Sequence, residues 1–260
     1  MSKEINEIKV DIILPNYNSD QFFSETIDSV LGQTFKNWQL IVVDDNSNLN
    51  NKELLNKYSD HPKIKIIWLK KNKGAGFCRN IAMRYSKSDY MAFIDSDDIW
   101  YKDKLFKQLN FMLENNFEFT YTNYLPFKTK NNQFEKHYYM NQVIAPKKFN
   151  FETYIKNTSI GTATMIIKNT LIGNTKFTNT KICEDYYFKC KILKKIGHAY
   201  CLPKTYTKYR IRPDSLQSNK LKNCYWIWRI NKNYNQFNFL RNLISILCIS
   251  INSIKKYGFK

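Results

Sequence analysis

Carboxylates gather at two points of this chain where hydrophobic runs end. Gln39-Leu40-Ile41-Val42-Val43 leads into Asp44-Asp45, and Tyr90-Met91-Ala92-Phe93-Ile94 leads into Asp95-Ser96-Asp97-Asp98. Short β-branched and aromatic runs of this kind read as buried strands of an α/β sheet. Carboxylates at their carboxyl ends lie where open α/β sheets bind ligands. Like charges that close repel one another, so a hard divalent cation is the natural companion, with the phosphates it usually accompanies. A capped turn competes with this reading, Asp97 or Asp98 serving as N-cap of a helix that starts near Trp100. Both can hold, with Asp98 capping and Asp97 on the metal.

Five further segments carry usable chemistry. Asp44-Asp45-Asn46-Ser47 reads as an Asx turn or as a carboxylate acceptor for a nucleobase. Pro15-Asn16-Tyr17-Asn18 is a turn, or it offers Tyr17 for stacking on a base. Gly74-Ala75-Gly76 opens a helix, and a helix N-terminus near basic residues favours anions, which puts Arg79 within reach of a diphosphate. The segment is not a P-loop, because the Gly-Lys-Ser/Thr ending is missing. Cys183-Glu184-Asp185 precedes a helical stretch, so its charges either complement the helix dipole or present a general base. Arg210, Arg212, Ser215 and Ser218 form a solvated loop or a phosphate contact. His61, His137 and His198 fit no motif.

Strand and helix signals alternate through the first half. Strands are predicted at 10–14, closed by Pro15, and at 38–44, 64–69, 90–94 and 119–124. Helices are predicted at 21–31, 50–58, 76–85 and 105–113. That order predicts a mostly parallel sheet. Residues 126–150 read as a long loop with short strands. A strand at 163–167, a helix at 185–196 and a strand at 206–211 follow. The catalytic unit is expected over 1–218, with a nucleotide-sugar half to about 125, an acceptor half after it, and a helical extension over 219–260.

The chain has 260 residues, 43% of them hydrophobic and 16% aromatic, enough for one sizeable core. Its polar N-terminus predicts no secretion signal. Six cysteines without C-x-x-C spacing then predict free thiols. The formal charge of +19 points to a polyanionic partner: nucleic acid, anionic membrane or phosphorylated substrate. No Asp or Glu follows Asp214. Within this acid-free tail, residues 237–254 place Leu240, Leu243, Ile244, Leu247, Ile251 and Ile254 on one helical face, followed by Lys255 and Lys256. The stretch is too short to span a bilayer and suits a helix lying in the headgroup region, or one packed on the catalytic domain or another subunit.

Taken in order along one chain, these segments resemble the family 2 glycosyltransferases of the GT-A (nucleotide-diphosphosugar transferase) fold, over about 10–218. Asn123-Tyr124, Glu184-Asp185-Tyr186, the Tyr209-Arg210 to Ser218 segment and Trp226-x-Trp228 are most similar to bacterial transferases that build O-antigen or capsule repeat units. These include enterobacterial β1,3-glucosyltransferases acting on lipid-diphosphate-linked acceptors. The resemblance implies roles at matching positions: Pro15, Tyr17 and Asp45 for uridine, Asp95 for ribose or nucleotide, Asp97 for Mn2+ or Mg2+, and Asp185 as base with Glu184 beside it. Arg79, Arg210, Arg212, Ser215 and Ser218 are its weaker candidates for phosphate or acceptor contact. It implies inverting transfer from a UDP-sugar to a lipid-diphosphate-linked saccharide, on the inner face of the cytoplasmic membrane and with no nucleic acid. A sugar-nucleotide pyrophosphorylase, an aspartate-nucleophile phosphatase and a basic nucleic-acid binder are the alternatives. Two departures from the family pattern stand out: Asn46 where glycine is common, and Cys78 where alanine is usual.

Overall fold

The computed structural model describes residues 5–19, 21–130, 133–212 and 219–257. The first half runs β1 (Val10–Asn16), α1 (Phe23–Leu31), β2 (Trp38–Asp44), α2 (Leu49–Asn56), β3 (Ile64–Trp68), α3 (Ala75–Tyr85), β4 (Tyr90–Phe93), β5 (Ile99–Trp100) and α4 (Lys104–Glu114). The second half runs β6 (Phe119–Lys130), β7 (Gln133–Tyr139), β8 (Lys148–Phe149), α5 (Phe151–Tyr154), β9 (Ile166–Lys168), α6 (Asn169–Ile172), α7 (Glu184–Ile196) and β10 (Ala199–Arg210). Helices α8 (Lys220–Asn233) and α9 (Phe239–Tyr257) follow.

One sheet unites the strands in the order β3-β2-β1-β4-β9-β6-β10-β5. β3, β2, β1 and β4 are parallel, as the alternating signals predict. β9 enters antiparallel between β4 and β6, and β10 runs parallel to β6. The chain builds outward from β1 through β2 to β3, then returns to lay β4 on the other side of β1. The carboxyl ends of β1 and β4 therefore flank a topological switch point, where sheets of this kind hold ligands.

Both faces of the sheet are covered. In β1, Ile12 and Leu14 join Leu40, Val42, Ala92 and Ile94 beneath α1 and α4. Ile13 joins Ile41, Val43, Met91 and Phe93 on the opposite side, where Cys78 of α3 and Phe188 of α7 pack. This is the period-two alternation of a strand buried on both sides.

Three expectations change. Pro15 does not close β1: it pairs with Val43, and the strand runs on to Asn16. The stretch from Pro126 is not mainly loop, because β6 continues through it and hairpins onto β7. No helix starts near Trp100. Ile99–Trp100 is a short strand on β10, and α4 begins at Lys104, so Asp97 and Asp98 cap nothing. The described cysteines are free thiols, four of them buried.

Candidate active site

Asn16, at the end of β1, organises the turn after β2. Its amide donates to Asp44 Oδ1 (2.8 Å) and Asn51 Oδ1 (2.6 Å), and it accepts from Ser19 Oγ. Asp44 is thereby spent on structure, also receiving the Ser47 backbone N–H at 3.0 Å. Asp45 points the other way and accepts the N–H groups of Lys73 and Gly74, each at 2.7 Å. Asn46 sits at φ +61°, a left-handed conformation that asparagine tolerates, so the turn survives without glycine. Tyr17 is half exposed at the rim, and Pro15 is buried beneath it.

The two glycines at the start of α3, Gly74 before it and Gly76 in its first turn, do different jobs. Gly74 stands at φ +89°. Gly76 is required by contact: a Cβ there would lie 2.7 Å from Glu184 Cγ and 2.8 Å from the Thr178 carbonyl oxygen. The turn thus brings α3 against the start of α7, and the N–H groups of Lys73 and Gly74 serve the Asp45 carboxylate. Cys78 behaves as a small core residue, its thiol pushed up by burial and by Asp45.

Arg79 lies at the centre, only 5% exposed. Its guanidinium donates to Asp95 Oδ1 (2.5 Å) and to Glu184 Oε1 (2.7 Å) and packs over Phe177. Burial works against its charge, but Asp95 and Glu184 outweigh that and hold it protonated more firmly than usual. One side chain therefore joins the acidic tip beyond β4 to the acidic start of α7.

Beyond Asp95 the acidic tip is poorly compensated. Burial first, then the Asp95 charge, pushes Asp97 up to about 6 against the pull of Arg212 and Arg210. Among the described residues the Asp97 side chain pairs with Arg212, at 3.5 Å. Asp98 is raised well above the usual carboxylate range by burial and by Asp97. Its Oδ1 accepts the Arg210 N–H (2.9 Å), while Oδ2 is buried without a partner among the described residues. No group of three or more metal-binding side chains occurs among the described residues. Mg2+ and Mn2+ sites built on one or two carboxylates, with substrate phosphates and water completing the shell, do not need one. Asp97 beside an orphaned Asp98 oxygen fits such a cation.

Asp185 is held differently. Lys189, one turn on and 2% exposed, donates to its Oδ2 at 2.7 Å and to the Ile160 carbonyl at 2.8 Å. Thr162 Oγ1 donates to the same Oδ2 at 3.0 Å. Oδ1 accepts no hydrogen bond from the described residues. Burial alone would raise this carboxyl; the Lys189 ammonium, then Arg79 and Thr162, outweigh it and lower it to about 2. Glu184 is raised by burial despite Arg79.

Arg210 departs from the expected phosphate contact. Its side chain is 1% exposed, donates to Glu25, Thr129 and the Asp97 carbonyl, and lies between the Phe22 and Phe127 rings. It clamps β10 to the acidic tip from behind. Arg212 is a quarter exposed and faces Asp97. Ser215 and Ser218 lie outside the described residues. Sequence reasoning missed Lys189 and Thr162. The i,i+4 spacing of Asp185 and Lys189 was a readable signal; nothing marked Thr162, which stands on a 3₁₀ turn 23 residues upstream.

A sheet of this order, with carboxylates at its switch point and a second acidic group brought opposite, defines a GT-A-type nucleotide-sugar transferase. The chain belongs to glycosyl transferase family 2, whose family model matches residues 11–174. It is 35% identical to the Escherichia coli UDP-Glc:alpha-D-GlcNAc-diphosphoundecaprenol beta-1,3-glucosyltransferase WfgD, over 98% of this chain and 97% of that one. It is 33% identical to WfaP of the same organism, which carries the same activity name, over 82% and 81%. Among solved structures, an S. aureus TarS fragment in complex with UDP-GlcNAc shares the fold at a TM-score of 0.71 and 20% identity, covering 97% of this chain and 74% of that one. A Pyrobaculum calidifontis mannosyltransferase in complex with GDP-Man and Mn2+ matches at a TM-score of 0.67 and 12% identity, covering 97% and 76%.

Proposed function

We propose that this transferase moves a hexose or N-acetylhexosamine from a UDP-sugar to a saccharide on an isoprenoid diphosphate, with inversion, for a surface polysaccharide such as O-antigen or capsule. The donor reading draws on the UDP-Glc enzymes among its relatives and the acceptor reading on their diphosphoundecaprenol substrate. The same reading makes the protein peripheral on the inner face of the bacterial cytoplasmic membrane. The same reading takes residues 1–218 as the catalytic unit and 219–260, which carry α8 and α9, as the extension.

Arg79 carries this reading, because it binds Asp95 of the donor side and Glu184 beside Asp185 in one ionic unit. Pro15, Tyr17 and Asp45 flank the uridine. Asp95 faces the ribose or nucleotide. Asp97 would hold Mn2+ or Mg2+, which when bound neutralises charge on the departing diphosphate. Arg212 is placed to add positive charge beside it. Asp185 takes the proton of the acceptor hydroxyl, through the oxygen that Lys189 and Thr162 leave open. One base opposite one leaving group gives a single displacement, hence a β product from an α-linked donor.

Replacing Asp185 by asparagine keeps the shape and removes the base. Transfer should fall by about 10²–10⁴-fold while UDP affinity, measured by calorimetry, stays near wild type. Near-wild-type turnover in that variant would remove Asp185 from the reaction.

A further inference from the structure

Helix α9 is folded against the rest of the chain the wrong way round for an ordinary surface helix. Amphipathic helices normally bury their apolar stripe. Here the buried face is polar over its first half and apolar further along, where Ile246 and Ile249 pack on the core. Asn242 and Ser245 are each 1% exposed, with Ile249 further along. Asn231 of α8 donates to Asn242 Oδ1 and Ser245 Oγ, both at 3.1 Å. Ser245 Oγ donates to the Ile155 carbonyl (2.6 Å), and Asn252 to the Lys156 carbonyl (3.0 Å). The apolar stripe faces outward instead: Leu240, Leu243, Ile244, Leu247 and Ile251 are 37–64% exposed. Ile246 and Ile249 pack on the chain's own core, but these five side chains do not. No helix among the described residues is long and apolar enough to cross a membrane.

We propose that this outward face of α9 docks onto an anionic bilayer surface, the leaflet that presents the acceptor. The proposal rests on the lipid-linked acceptor of the proposed function and names the surface that meets it. Charge selects the occupant. Arg229, Lys232 and Lys255 are exposed along α8 and α9, Glu152 of α5 pairs with Arg241, and no acidic residue follows Asp214. A second copy seated on the same face would gather both sets of cations around one seam. Anionic headgroups supply the opposite sign, and apolar side chains enter the headgroup boundary. The surface also ends in the right place. Asn252 near the end of α9 holds the Lys156 carbonyl, four residues before the Ile160 carbonyl that Lys189 holds beside Asp185.

Flotation of the full-length protein with phosphatidylcholine vesicles, with and without phosphatidylglycerol, tests the proposal. The wild type should float with the anionic vesicles, and high salt should weaken the association. Leu243→Ser with Leu247→Ser should lower partitioning by about tenfold or more, because two exposed leucines lose their apolar contact. Both residues are solvent-facing, so the thermal melt should hold, as should transfer to a water-soluble diphosphate-linked saccharide. A double variant that floats like the wild type overturns the proposal. So does a wild-type dimer that the double variant splits while flotation is unchanged. A wild type that transfers sugar but never floats refutes the docking surface alone. A wild type that floats but transfers nothing from any UDP-sugar refutes the functional reading instead.

Discussion

Asp97 and Asp185 are both mostly buried carboxylates of one site, 24% and 19% exposed, yet their surroundings push them in opposite directions. Asp97 shares its loop with Asp95 and Asp98, and burial with mutual repulsion raises it to about 6. Asp185 has Lys189 fixed one turn away and falls to about 2. The difference lies in where the compensating cation comes from. At the start of α7 the chain supplies its own, so Asp185 is ionised throughout the physiological range. At the tip beyond β4, Arg79 is taken up by Asp95 at 2.5 Å while Arg212 stands 3.5 Å from Asp97, and Asp97 remains raised despite Arg212 and Arg210, which both face it. On the proposed function, Asp185 is the proton acceptor and the tip around Asp97 is the half that a metal and a diphosphate would complete.

Arg79 lets this contrast exist within one site, and removing it should have the largest effect. Arg79→Met leaves Asp95 and Glu184 facing each other without a cation in a buried setting. Breaking such an arrangement costs about 3–5 kcal/mol, readable by urea unfolding. Adding Glu184→Gln to that variant should recover part of the loss, because it deletes one of the stranded charges. Strict additivity of the two changes would mean that Arg79 does not couple the two clusters.

Lys189 tests the other side of the comparison. Lys189→Met takes away the internal cation and frees Asp185 Oδ2. The kcat should drop by roughly tenfold to a hundredfold, with little change in the KM for the donor, since the general base as a whole contributes about 10²–10⁴-fold. The sign of the pH effect follows from the same geometry. On the proposed function Asp185 acts as the carboxylate; without the ammonium its titration rises, so the acidic limb of kcat should move to higher pH. The charges that remain around it are Arg79, which opposes the rise, and Glu184, which adds to it. Lys189→Arg should restore much of the wild-type limb. An acidic limb that stays in place in Lys189→Met would show that Lys189 is only a packing residue.

The strands and the acidic tips were legible because they depend on local pattern: β2 is predicted at 38–44 and observed at Trp38–Asp44. Asp45 and Asp97 stood out because clustered carboxylates after apolar runs are conspicuous. What escaped is long-range pairing. Nothing local tells that Asp44 is consumed by Asn16, or that Arg210 turns inward to Glu25 across 185 residues. Asp98 resembled a helix cap, but Ile99–Trp100 pairs as a strand first, and the N-cap of α4 is Asp103, which makes no side-chain cap hydrogen bond. The α9 pattern was read correctly as amphipathic, but periodicity gives the width of an apolar stripe and not the side on which the rest of the protein lies.

Lys104 extends the comparison to a buried ammonium that has no carboxylate. It is fully buried, donates to Gln108 Oε1 at 3.0 Å and lies over the Trp100 ring. Burial alone pushes it down to about 7 from 10.5. Between those values the unfolded chain binds a proton that the folded chain does not, so stability should rise with pH across that window. The slope is at most about 1.4 kcal/mol per pH unit, and below the window the charged form is penalised in the fold. Lys104→Met removes the ionisable group and keeps most of the volume. Its advantage over wild type in urea unfolding should be largest in mildly acidic buffer and shrink as pH increases. An advantage that does not change with pH would mean that Lys104 keeps its proton in the folded protein, with Gln108 and the Trp100 face supplying what Asp185 supplies to Lys189.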